Sequence, residues 1–225
     1  MKLSKDVKLL FYFFLLLLIT WVVFDTLKMI WSDDTFQKVI LAPLGEESYK
    51  ILAALLMSLF VYIGFNIPMK YAKNKDKIKK IDFLPIFYYT FIPFAITSGV
   101  IFGVSEGPIP NILLHFSTTT LAAISIILIF NKVKDKIWNI YYKILAMFAS
   151  MILPMFFHSI QNQYANIGYA NNHPEFNYLV IIGRYLQENT ILSNHVRFAF
   201  TLFIITIVIL YILSMKLLLK KTKNN

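Results

Sequence analysis

Six stretches of the chain are predominantly apolar and longer than a buried core helix needs: 7–30, 39–64, 83–104, 112–130, 140–159 and 196–219. A hydrocarbon core takes about 20 helical residues to cross, so each stretch predicts a membrane span. The pattern predicts an all-α, polytopic membrane helix bundle of about six transmembrane helices. The links between spans one and two and between three and four are short. Residues 161–195 form a long link, expected on the extracytoplasmic side as an interfacial or gating loop. No internal repeat is evident, and residues 1–225 read as a single integral membrane domain.

Composition agrees with that reading. With 58% apolar and 15% charged residues and a mean hydropathy of +0.63, the 225-residue chain lies far outside soluble averages. The first stretch is longer than the core of a secretory signal and no small-residue cleavage pattern follows it, so it reads as a retained span. There are no cysteines, which excludes disulfides and thiol catalysis. Lysines mark alternate links: Lys2, Lys5 and Lys8 before span one, Lys70 to Lys80 after span two, Lys132 to Lys143 after span four, and Lys216 to Lys223 at the end. The positive-inside rule then predicts a multi-pass protein of the cell membrane with both termini cytoplasmic, N-in and C-in. Because the net charge of +10 is divided among short loops, topology accounts for it and no nucleic acid partner is implied.

Against this background the carboxylates Glu46 and Glu47 stand out, inside the apolar run 39–64. An ionisable group at membrane depth costs several kcal/mol unless paired or hydrated. Lys50 can neutralise one of the two, leaving the other unexplained. Glu106 closes span three, His115 opens span four, and His158 with Asn162 closes span five, all toward the outer face. At about 1.5 Å per residue, these ends can meet in one leaflet. Glu46 with Lys50, Phe102 with Glu106 and His158 with Asn162 are each four apart, so each pair shares a helix face. Pro43 fits a first helical turn, whereas Pro93 and Pro154 fall within spans and are expected to kink them. Gly99 and Gly103 would let another helix approach closely just before Glu106.

The strings Glu46-Glu47-x-x-Lys50, Phe102-x-x-x-Glu106 and His158-x-x-x-Asn162, in this order on separate spans, resemble the PrsW-type intramembrane glutamic proteases. These are similar to the superfamily that holds the CAAX prenyl endopeptidases and a gamma-secretase subunit. The resemblance covers about half the chain, and the stretch from Leu113 to Thr118 looks like the histidine-bearing segment after the second motif. Two positions depart. Glu106 stands where CAAX endopeptidases carry histidine, and Asn162 where PrsW-type proteins often carry aspartate. The resemblance implies an endopeptidase hydrolysing a membrane-tethered protein or peptide near its extracytoplasmic juxtamembrane segment, with the bilayer as its other partner. It implies catalytic first-motif glutamates: Glu46 as general base, Glu47 as second choice or support. Glu106 or His115 would share the proton, and His158 with Asn162 would hydrogen-bond the oxyanion.

Other readings compete. Glu47 and Lys50 can form a purely structural ion pair, His115 and His158 can be satisfied interhelical histidines, and Phe102 can be packing. Trp21, Trp31 and Trp138 read as interfacial anchors, and Asp25 and Lys28 receive no catalytic role. A noncatalytic scaffold or immunity-type protein of the same fold would show the same helices. A proton-coupled transporter also uses intramembrane carboxylates, yet it should carry inverted repeats or polar residues along the whole crossing. Zinc at Glu46, Glu106, His115 and His158 is chemically acceptable. No zincin-type string is present, so a cofactor-free glutamate mechanism is expected.

Overall fold

The computed structural model describes residues 4–33, 36–71, 82–106, 109–165 and 194–222. Most of the 161–195 link, expected as an interfacial or gating loop, lies outside the described residues. In chain order the helices are α1 (Lys5–Ile30), a π-helical turn (Gln37–Leu41), α2 (Ala42–Tyr71), α3 (Phe83–Glu106), α4 (Ile109–Val133), α5 (Ile140–Ala149), α6 (Ile152–Ala165) and α7 (Asn194–Thr222). Among the described residues, six helical stretches are long and apolar enough to cross a membrane, α5 and α6 together making one of them. The described residues contain no strand. The expected fold class is therefore the observed one.

α4 is the central helix. Just over half of its crossing is buried (56%), against 39% or less for each of the others. It meets α1, α2, α3 and the α5–α6 span in one apolar cluster that includes Phe13, Leu17, Ile51, Phe87, Ala122, Ile126 and Met151. The outward faces carry Ile19, Phe60, Ile101, Leu145 and Ile204 exposed, as a surface turned toward lipid must.

Local chemistry explains the irregular points. Asn139 caps α5 by accepting from the Tyr141 amide, and the span then breaks at Ser150 and Met151. Pro154, four residues after Ser150, has no N–H for the Ser150 carbonyl, so the helix restarts with the proline in its first turn. The kink expected there is a full interruption. Pro93 is accommodated differently, since α3 runs through it without a break.

Gly99 and Gly103 bring α3 and α4 into backbone contact, as their spacing predicts. A Cβ at Gly99 would lie 2.4 Å from the His115 carbonyl oxygen, and one at Gly103 would lie 2.5 Å from Ile112 Cα. Both clashes are with backbone, so neither can be relieved by a rotamer change. Gly99→Ala is accordingly expected to push the helices apart, costing about 1–3 kcal/mol of stability, and to displace His115. Thermal unfolding in detergent measures it, and an unchanged midpoint would contradict the packing described.

Candidate functional site

The sequence of α2 explains how its carboxylates enter the bundle. Pro43 lies one residue inside the helix, preceded by the π-helical turn, in which the Ala42 amide bonds back to the Gln37 carbonyl. The next bond in that register would join residue 43 to the Lys38 carbonyl, and proline has no N–H to give. The Asn162 side-chain amide supplies it, donating to the Lys38 oxygen at 2.7 Å. Asn162 thus ties the end of α6 to the turn that launches Glu46 and Glu47. One helical turn earlier on α6, His158 faces both glutamates.

Glu47 is completely buried and surrounded by donors. Its Oε1 accepts from Lys50 Nζ at 2.6 Å and Thr118 Oγ1 at 2.7 Å, and lies 3.0 Å from His158 Nδ1. Its Oε2 accepts from Thr119 Oγ1 at 3.0 Å. Lys50, also fully buried, contacts His115 Nδ1 at 2.7 Å and lies 4.9 Å from the centroid of the Phe102 ring. Lys50 therefore pairs with Glu47 rather than with Glu46, its partner at four-residue spacing. Phe102 also packs edge-on against His115, with ring centroids 4.9 Å apart.

Glu46 is arranged differently. Its side chain keeps 16% exposure, and Lys28 of α1 approaches its Oε1 at 3.7 Å. Its Oε2 lies 3.4 Å from His158 Nε2. The direction is not that of a hydrogen bond, and this buried oxygen has no hydrogen-bond partner among the described residues. Glu106, half-open to the surroundings, contacts His115 Nε2 at 2.6 Å. The two histidines stand edge to face with centroids 4.8 Å apart.

The three motif strings, far apart in sequence, thus converge on one buried point. Three contributors were not foreseen as part of it. Thr118 and Thr119 donate to Glu47, and their signal was the polar run Ser117-Thr118-Thr119-Thr120 within an apolar span. Lys28 was assigned no role, because nothing in a linear reading brings the end of α1 over Glu46.

One ligand atom each from Glu46, His115 and His158 lie within 4.8 Å of one another. A carboxylate with two imidazoles is by type the donor set of a hydrolytic zinc. His115, however, has both ring nitrogens engaged by Lys50 and Glu106. Of these three, as arranged, Glu46 and His158 alone have a donor atom to spare, and two ligands are too few for a metal centre.

Fold and site define the class: a polytopic all-α membrane protein of six candidate spans, with a buried Glu/His/His cluster inside its helical bundle. Such a cluster is consistent with catalytic chemistry. No protein-family model, curated protein or solved structure matches the chain.

Proposed function

We propose that this protein is an intramembrane endopeptidase of the PrsW type, cleaving a membrane-tethered protein near its extracytoplasmic juxtamembrane segment with a glutamate-activated water. The observation that carries the reading is the contrast between the glutamates. Glu47 has its oxygens satisfied by four neighbours, whereas Glu46 keeps a buried oxygen with no hydrogen-bond partner among the described residues, beside His158 Nε2. A carboxylate committed to hydrogen bonds is a poor base; one with a bare oxygen in a sheltered site is available for chemistry.

Counting charges sharpens this. Among the described residues, Glu46, Glu47 and Glu106 have two ammonium groups, Lys28 and Lys50, at ion-pair distance from Glu46 and Glu47. Among these groups one further proton would balance the charges, and the facing pair of Glu46 Oε2 and His158 Nε2 offers a place for it. With that proton on His158, Glu46 is a free carboxylate that can take a proton from water. The imidazolium, backed by Glu47 at Nδ1, can then donate to the oxyanion of the tetrahedral intermediate. Collapse of the intermediate breaks the C–N bond, and the proton held by Glu46 passes to the leaving amine. Glu106 and His115 form the other wall, where the departing chain would be met. Asn162 serves this scheme by holding the α2 entry, in place of the direct oxyanion contact suggested by the resemblance.

The order of the three strings supports the PrsW-type reading, and the lysine pattern supports a site near the outer leaflet and cytoplasmic termini. A scaffold of the same fold has no need of a buried carboxylate oxygen left without a hydrogen bond beside a histidine. The test is a panel of membrane-tethered substrates presented to the purified protein in detergent and in liposomes. Cleavage that survives dialysis against a chelator is expected. Cleavage lost to the chelator and restored by zinc would replace the glutamate mechanism, and no cleavage across the panel would favour the scaffold.

A further inference from the structure

No proton or bond in the mechanism above passes through Lys50, although burying a lysine completely is costly unless something requires it. Among the described residues the titratable and donor groups around it are Glu46 and Glu47 on its own helix, His115, Thr118 and Thr119 on α4, Glu106 and the Phe102 ring on α3, and His158 on α6. We infer that Lys50 is a positioning residue that fixes a proton on Nε2 of His115 and one on Nδ1 of His158, making His115 a hydrogen-bond donor at Nε2 and withholding it from any metal.

The inference deepens the hydrolase reading of the same site, but it follows from donor and acceptor rules alone. An ammonium group has three donors and no acceptor. Paired with Glu47 at 2.6 Å, Lys50 is an ammonium, so the His115 Nδ1 atom 2.7 Å from it must offer a lone pair. A neutral imidazole that accepts at one nitrogen carries its proton on the other. His115 is therefore protonated at Nε2, and it donates to Glu106 Oε2 at 2.6 Å. The second half runs through Glu47. Lys50 keeps that carboxylate ionised, hence acceptor-only, so the His158 Nδ1 atom 3.0 Å away is the protonated one. His158 Nε2 is left facing Glu46. A single buried cation thus sets three ring nitrogens.

The consequence for metal is direct. A metal-bound histidine gives the lone pair of one nitrogen and keeps a proton on the other. His115 cannot do so through Nε2 while an ammonium group donates to Nδ1, because the ring would have to lose both protons.

Nitrogen NMR of the full-length protein, labelled with 15N-histidine, reads which ring nitrogens carry protons. The signals are assigned by comparison with His115→Gln and His158→Gln. The expected wild-type pattern is His115 protonated at Nε2 only and His158 protonated at Nδ1. Lys50→Met, which removes the donors at similar length, should release His115 into exchange between tautomers. It should also lower kcat by about 10²-fold or more with KM little changed. Lys50→Arg, still a pure donor, should keep the wild-type ring pattern. If Lys50→Met fails to fold, the wild-type spectrum decides by itself. A wild-type His115 bare at Nε2, an unchanged ring pattern in a folded Lys50→Met protein, or one zinc per purified chain with its signature on His115 would each overturn the inference. The expected pattern in a protein that cleaves nothing would uphold it while removing the hydrolase reading.

Discussion

Replacing Glu46 with Gln is expected to abolish cleavage while leaving the fold intact. Gln preserves the volume and one carbonyl oxygen, but it cannot accept a proton from water at neutral pH. General-base catalysis is worth about 10²–10⁴-fold, so kcat/KM should fall by at least about 10²-fold. The structural cost is small because the group facing Glu46 from α1, Lys28, is 43% exposed and stays hydrated when its partner is neutral. Single-turnover cleavage of a tethered reporter by wild type and variant, with unfolding curves of both, makes the comparison. A variant that unfolds like wild type and cuts at the wild-type rate would remove Glu46 from the chemistry.

The second large effect falls on stability and belongs to Glu47. Changing it to Leu leaves the Lys50 ammonium in the bundle interior without its counter-charge, and removes the acceptor for Thr118, Thr119 and His158. Breaking a buried pair from one side typically costs about 3–5 kcal/mol. The double variant Glu47→Leu, Lys50→Met should recover much of that loss, because neither charge is then stranded. Chemical or thermal unfolding in a fixed detergent measures the cycle. A single variant as stable as wild type, or a double variant worse than the sum of the singles, would show that the pair is not held as described. The Glu46 and Glu47 substitutions also separate two roles that adjacency in sequence hides: one carboxylate for chemistry, the other for architecture.

Much of this was legible in the chain. Run length specified the helices, since crossing a hydrocarbon core fixes both the number of residues and their polarity. Gly99 and Gly103 announced a close helix contact, and it lies against His115 and Ile112. Pro154 announced a disturbed helix, though whether a proline kinks or interrupts depends on the register of the preceding carbonyls. Glu46, Glu47, Lys50, Glu106, His115 and His158 could be singled out because each is an expense in an apolar setting. Thr118, Thr119 and Lys28 were not, since hydroxyls bond readily to their own helix and a lysine near a span end normally reaches for water.

What the sequence by itself determined is the class and the candidates: six apolar spans, polar residues gathered at one set of span ends, and motif strings in a fixed order. These are local properties, set by helix length, periodicity and the cost of burying charge. Which carboxylate is satisfied and which is left bare was decided only by tertiary structure. It depends on where α4 and α6 direct Thr118, Thr119 and His158, on Asn162 filling the carbonyl that Pro43 leaves open, and on Lys50 bridging Glu47 to His115. Two glutamates one residue apart have nearly the same sequence surroundings. Their side chains point about 100° apart around the helix, and that rotation turns one toward a full set of donors and the other toward an open histidine.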